Sequence, residues 1–361
     1  MVDETTRDEP IATGDNGTLS RGKLLKAGAV AAGALAGAGL IDQPKIALGS
    51  FLRKRKLKIA IVPKGLSNPV FNTANYGGQQ RALELGDVDF HFTGPSKSDA
   101  AEQVTAIDAL ITAGYDGIGI SCDASQTMVD PINRAIKKGI KVITWDSDAP
   151  ASNRSVFYGV NSYEGGKLQA TLLNGLLKGK SGDIWLLSGL PTAQNLNDRI
   201  RGVKAVLSKD LRIAGTSFCN EDGALGVQQV ETVLQSHPNL AGYIMIGAWP
   251  LFTSEGAMPT LRKRAAAGLQ VVAFDYLLQE LPFIQHGTVK ASVGQDYYGW
   301  GYQSVQILYE LIQGKHYPAF VPQSLPVVTK ANVQQYYAKW AIAKDRAGAA
   351  KAFAEAPIQP S

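Results

Sequence analysis

From residue 57 onward the chain alternates short β-type apolar runs with stretches of helical apolar spacing, and it does so twice. "LKIAIV" (57–62), "VDFHF" (88–92), "DGIGIS" (116–121) and "KVITW" (141–145) read as strands. Between them, 70–85 and 127–138 suit helices. Val104, Ile107, Leu110 and Ile111 sit at helical spacing, and Gly139 is a typical stop. A run of strand–helix units requires a mostly parallel sheet with helices on both faces. The rhythm then restarts with "DIWLLS" (183–188), "RIAGTSF" (212–218), "GYIMIG" (242–247), "LQVVAF" (269–274) and "VKASV" (289–293). Helices are predicted over 195–208, 223–236, 254–267 and 278–286, and a last amphipathic one over 297–313. The expected fold class is therefore α/β, built as two similar doubly wound parallel-sheet lobes.

Composition supports two domains: 361 residues, 45% hydrophobic and 19% charged. The net charge of +5 suggests a nucleic-acid partner until its distribution is read. Residues 1–58 carry 10 basic against 6 acidic residues, and the remainder 26 against 25. A nearly neutral body has no electrostatic footprint for DNA or RNA, so no nucleic-acid partner is expected.

Residues 1–50 read as an export signal and leader. "LSRGKLLKAGAVAAGALAGAGL" (19–40) is a basic stretch followed by a mild Ala/Gly run, too short for a stable membrane span. "SRGKLLK" (20–26) is similar to a twin-arginine signal, with Gly22 where the second Arg belongs. No Cys follows "ALAGA" (34–38), so a lipid anchor is not expected. An exported chain permits disulfides, but Cys122 and Cys219 fall in different halves and are read as free thiols. The end of the chain, 340–361, is Ala-rich and polar and is expected to fray.

Catalytic and cofactor motifs fail. No Gly-x-Gly-x-x-Gly opens a helix after a strand. "GVNSYEGGKL" (159–168) has the wrong spacing for a phosphate loop. His91, His237, His286 and His316 are scattered, so no metal is expected, and "GISCD" (119–123) lacks the second Gly of a nucleophile elbow. Neither a cofactor nor an enzymatic activity is supported.

In open parallel α/β sheets, ligands bind beyond the carboxyl ends of the strands. "PKGLSNPVFN" (63–72) follows the first strand, and "WDSD" (145–148) follows "KVIT". "AWP" (248–250) follows "GYIMIG", Asp275 follows "VVAF", and "GQDYYGWG" (294–301) follows "VKASV"; the helix after "DIWLLSG" carries "NLNDRIRG" (195–202). Carboxylates, amides, a guanidinium and aromatic rings thus collect at one edge of each lobe. That set suits a neutral polyol. Each hydroxyl exchanges water for a charge-assisted bond, the C–H faces stack on rings such as Phe71, Trp145 and Trp249, and a wrong epimer leaves a buried carboxylate unpaired.

These segments resemble the type I periplasmic binding proteins, specifically the ribose-binding-like sugar receptors of bacterial ABC importers. The resemblance covers roughly 57–330. It rests on "NPVF" (68–71), "VITWDSD" (142–148), "RIRG" (199–202), "VVAFD" (271–275) and "ASVGQD" (291–296); "TWDSD" is similar to the rhamnose and autoinducer-2 receptor subgroup. It implies an N-terminal lobe of 57–160 plus 296–322 and a C-terminal lobe of 161–294 plus 323–335. Three crossings form the hinge, near 159–162, 294–296 and 322–326, with Gly159, Asn161 and Gly294 placed there. Asn68 would exchange hydrogen bonds with hydroxyls and Phe71 would stack. Asp146 and Asp275 would each accept from two hydroxyls, Arg201 would donate, and Gln295 would bond near the hinge. Ser147, with Asp148 beyond, stands where the ribose receptors have Arg. "GAWP" (247–250) replaces an Asn-Asp, and Lys64 replaces a small hydroxyl residue. These departures point away from ribose itself.

Each residue also has a purely structural reading: Trp145 and Phe71 as core, Asp146 and Asp275 as turn or cap acids, Arg201 as a surface partner of Asp198, Lys64 as solvated. The expected partners are a small sugar or polyol and, from the resemblance, an ABC permease in the membrane, the chain itself being a monomer. A sensing receptor would use the same cleft. A sugar-responsive repressor would carry a helix-turn-helix where 1–56 holds an Ala/Gly run. A glycan-directed enzyme would place its acids across a bond, not two apart as in Asp146 and Asp148.

Overall fold

The structure, a computed structural model, describes residues 55–354 and 356–361; the predicted export signal lies outside them. The chain starts with β1 (Leu57–Val62), α1 (Val70–Leu85), β2 (Val88–Phe92), α2 (Ala100–Thr112), β3 (Gly117–Ile120), α3 (Val129–Lys137), β4 (Lys141–Trp145) and β5 (Val156–Gly159). It continues with α4 (Ser162–Leu176), β6 (Gly182–Ser188), α5 (Gln194–Val206), β7 (Leu211–Phe218), α6 (Gly223–Ser236), β8 (Gly242–Met245), α7 (Pro259–Ala266), β9 (Gln270–Phe274), α8 (Leu281–Gln285) and β10 (Ala291–Val293). It closes with α9 (Tyr297–Ile312), β11 (Phe320–Pro322), β12 (Val327–Thr329), α10 (Val333–Ile342) and α11 (Arg346–Phe353).

Two six-stranded sheets result, in the orders β11-β5-β4-β3-β1-β2 and β12-β10-β9-β8-β6-β7. The pairings are parallel except that of β12 with β10. Inner strands covered on both faces are apolar throughout: β3 and β8 are buried at every position. The edge strand β2 alternates instead, burying Val88 and exposing Asp89 and His91. These are the two α/β lobes expected from the repeated rhythm.

The chain passes between the sheets three times: from β5 into α4, from β10 into α9, which packs on β1, β3 and β4, and from β11 to β12. Neither Gly159 nor Gly294 has a positive φ. Their glycine character answers crowding instead. A Cβ at Gly294 would lie 2.3 Å from the Tyr276 ring, and one at Gly159 2.8 Å from the Phe157 ring. Asn161 caps α4, its side chain accepting from the Glu164 amide at 3.2 Å.

Prolines set the main boundary differences. The helix expected over 254–267 is a short 3-10 turn, Glu255–Ala257, followed by α7, whose first residue is Pro259. The helix expected over 278–286 shrinks to α8, with Pro282 in its first turn. Proline begins a helix readily because its missing N–H is not needed there. The C-terminal tail is a clear correction: 346–353 is helical rather than frayed. The Asp345 side chain accepts from the Gly348 amide at 2.7 Å, Ala349 is fully buried, and Phe353 packs edge-on against Trp340 with centroids 4.9 Å apart. Cys122 and Cys219 are free and buried, one in each lobe, and burial pushes the Cys219 thiol up to about 12.

Candidate functional site

The carboxyl ends of both sheets face one cleft. Among the described residues, the only non-glycine residues with positive φ are Asp146 (57°), Asn220 (50°), Glu221 (58°) and Asp275 (82°). All four follow strands, and three carry carboxylates. Such backbone is costly for residues with a Cβ and gathers at functional sites. It persists because the turns are pinned: the Asp146 amide donates to the Tyr158 carbonyl at 3.2 Å, and the Asp275 amide to Val293 at 2.7 Å.

Lys64, just after β1, is the hub. Its Nζ lies 3.1 Å from Glu221 Oε1, 3.4 Å from Asp146 Oδ2 and 3.4 Å from Asn195 Oδ1. Asn195 Nδ2 donates to Asp146 Oδ1 at 3.1 Å, and Ser121 Oγ donates to Asp146 Oδ2 at 2.7 Å. Burial alone pushes an ammonium toward neutrality. Here Asp146, Glu221 and Asp123 outweigh it and raise the Lys64 pKa above the ordinary lysine value. Asp123, after β3, is buried, and neither of its carboxylate oxygens has a hydrogen-bond partner among the described residues. Burial, with Glu221 across the cleft, pushes its pKa up to about 7.

The second lobe supplies a buried arginine and a buried carboxylate, Arg199 and Asp275, bridged by Gln295. Arg199 is buried, donating to the Ile246 carbonyl at 2.9 Å and to Gln295 Oε1 at 3.3 Å, with its guanidinium 3.5 Å from the Phe274 ring centroid. Burial lowers its pKa, and Asp275 and Asp146 oppose the shift. Gln295 Nε2 and the Tyr297 hydroxyl donate to Asp275 Oδ1 at 2.7 and 3.1 Å. Burial raises the Asp275 pKa against the pull of Arg199. Close packing of α4 and α5 fixes Arg199 in place: a Cβ at Gly166 would fall 1.9 Å from the Arg199 carbonyl oxygen.

Lys64, Asn68, Phe71, Asp146, Trp249, Asp275 and Gln295 all line a central space of about 30 Å³. Three other expected residues do not reach it. Trp145 is fully buried in the first lobe's core, 5.5 Å from Phe71 and 5.6 Å from Trp300 between ring centroids. Asp148 turns away to Arg154, with contacts of 2.8 and 2.6 Å, and to Thr144 Oγ1 at 2.5 Å. Arg201 is 65% exposed and pairs with Asp198. The motif "RIRG" holds two arginines about 200° apart on a helix, so the turn that buries Arg199 sends Arg201 to solvent. The register was visible: Asn195, Leu196, Arg199, Ile200 and Val203 make one helical stripe, with Arg199 inside it.

Asn195, Arg199, Glu221 and Trp300 also line the space and were not predicted. Glu221 follows β7, a strand end that the same edge rule covers. Trp300 lies one turn into α9, inside the quoted "GQDYYGWG".

This constellation and the two-lobed parallel fold define a class, the ligand-binding proteins that hold a solute between two α/β lobes. The chain belongs to the periplasmic binding protein domain family, whose model matches residues 59–316, and within it to the type I sugar-binding group. The xylose/arabinose-binding protein XylF of Sulfolobus acidocaldarius is 24% identical over 316 residues, covering 81% of this chain and 76% of the relative. The ribose import binding protein RbsB of Bacillus subtilis is 22% identical, covering 77% and 88%. A solute-binding protein of an ABC transporter from Burkholderia graminis, solved in complex with D-arabinose, is 32% identical with a TM-score of 0.73, covering 77% of this chain and 96% of that one. These relatives are sugar-binding transport proteins, not enzymes. No helix among the described residues is long and apolar enough to cross a membrane.

Proposed function

We propose that the chain is the solute-binding component of an ABC importer and takes a neutral, pentose-sized sugar between its lobes. One observation carries the reading: Asp146 and Asp275, from opposite lobes, converge on one space with Arg199 and Asn195. Two acceptor carboxylates with fixed donors suit vicinal hydroxyls, and Phe71, Trp249 and Trp300 offer rings for the C–H faces. The D-arabinose complex of the 32% identical relative supports a pentose over the rhamnose and autoinducer-2 class. Lys64 in place of a small hydroxyl residue supports a sugar other than ribose.

The space of about 30 Å³ is that of roughly one water. A sugar therefore enters by parting the lobes about the three crossings near 159–162, 294–296 and 322–326, and it takes over the contacts that Asn195 now makes across the cleft to Lys64 and Asp146. Such hinge closure in periplasmic binding proteins is a general case in the physics of domain motion. The lobes move as 57–160 with 296–322 and 161–294 with 323–335. The protein is exported by its N-terminal segment, acts as a monomer outside the cytoplasmic membrane and delivers its ligand to a membrane permease.

Thermal unfolding against a panel of pentoses, hexoses, rhamnose, tetritols and autoinducer-2 tests this. A ligand at 100 times its Kd stabilises the fold by about 2.7 kcal/mol. The expected result is a shift with one pentose that is absent with its epimers. No shift with any sugar would refute the reading.

A further inference from the structure

The chain does not end at the third crossing. α10 stays on the second lobe against α8. There Trp340 Nε1 donates to the Tyr276 carbonyl at 2.8 Å, and Tyr336 packs on the Tyr276 ring at 4.9 Å. The chain then turns sharply. A Cβ at Gly348 would fall 1.8 Å from the Ile342 carbonyl oxygen, so only glycine lets the two helices meet this closely. α11 lands on the other lobe, against α1. Arg346 donates to Gln80, the Tyr76 hydroxyl donates to the Lys344 carbonyl at 3.4 Å, and Ala349 is buried in a separate apolar cluster with Tyr298 and Tyr302. The last residues remain on the first lobe: Gln303 donates to the Ala356 carbonyl and accepts from the Ile358 amide, both at 2.9 Å.

We propose that residues 333–361 are a strap, a fourth link between the lobes that limits how far they part and positions Asp275. The segment lies beyond the residues that the family model matches, 59–316. It reaches the site through one intermediate. Trp340 holds the carbonyl of Tyr276, the residue next to Asp275. The Tyr276 amide donates to the Tyr297 hydroxyl at 2.9 Å, and that hydroxyl donates to Asp275 Oδ1. Trp340 is thus a positioning residue, and α11 ties the element that carries it to the opposite lobe. The effect on ligand release rests on the sugar-binding reading; the effect on opening does not.

Lys97 of the first lobe and Ala224 of the second both line the mouth of the cleft, a space of about 750 Å³, and both are exposed. Spin labels on Lys97→Cys and Ala224→Cys in the full chain measure the interlobe distance by pulsed electron resonance, without any sugar. In a chain stopped after Ala343, the distance distribution should lengthen and broaden. Arg346→Ala with Tyr76→Phe and Ala349→Asp, which loosens α11 from α1 and α9 without removing it, should do the same in part and answers the question if the shortened chain fails to fold. Trp340→Phe should speed release of the sugar that the wild type binds by about tenfold, with the association rate within twofold. Unchanged distances in a folded strap variant would overturn the proposal. If the wild type binds no sugar, the function falls, and the label distances still decide the strap.

Discussion

Lys64 and Glu221 meet across the cleft from opposite lobes: Nζ lies 3.1 Å from Oε1, and each side chain is 3% exposed. An ion pair so shielded from water is costly to break on one side only, because a bare charge is left behind. It can form only when the lobes are together, so it reports on closure as well as on recognition.

The first prediction concerns that pair. Glu221→Gln and Lys64→Met should each weaken sugar binding about 10- to 100-fold. A double-mutant cycle by titration calorimetry should show a coupling of about 1–3 kcal/mol. Effects that simply add would mean that the contact contributes nothing to closure.

The second separates two arginines. Arg199→Ala should cost about 2–4 kcal/mol of binding, because it removes the buried guanidinium whose charge offsets the buried Asp275 carboxylate. Arg201→Ala, at an exposed pair with Asp198, should change binding by less than about 0.5 kcal/mol. The same calorimetric comparison reads both, and the reverse ranking would put the wrong face of α5 in the cleft.

How much of this site could be read in advance follows from such cases. Asp146 and Asp275 were legible because strand ends are visible as the last apolar residue of a run, and both acids follow one directly. Arg201 was misassigned because a short motif does not show helical phase, whereas the buried stripe from Asn195 to Val203 does. Trp145 extends its strand into the core instead of the cleft, which alternation alone does not distinguish in a strand buried on both faces. The tail from 340 looked frayed because its composition is polar and Ala-rich. Its order comes from Trp340, Ala349 and Phe353 packing onto surfaces made by distant residues, which local pattern cannot reveal.

The third prediction is a pH dependence at Asp123. Burial raises its folded pKa from 3.8 to about 7, with Glu221 adding to the shift, Lys64 opposing it and Asp99 contributing further. The folded state therefore binds a proton more tightly than the unfolded one. The stability this gives is fully present below about pH 3.9 and is lost as pH rises through about 7. Asp123→Asn stays neutral at every pH. It should melt near the wild-type temperature at about pH 3.5 and a few degrees higher at pH 8, by calorimetric scanning. A constant offset between the two proteins at both pH values would count against a titrating Asp123.

The most direct test of the account is sugar binding in wild type against Asp275→Asn, measured by titration calorimetry with the panel member that stabilises the wild type. Asp275 accepts from Gln295 and Tyr297 on one oxygen, and its carboxylate lines the cleft beside Arg199. The account predicts one-to-one binding in the wild type and an affinity lower by about 100-fold or more in the variant, a loss of about 2.7 kcal/mol, with an unchanged circular dichroism spectrum. Equal affinity in a folded Asp275→Asn protein would contradict the cleft as the place where the sugar is held.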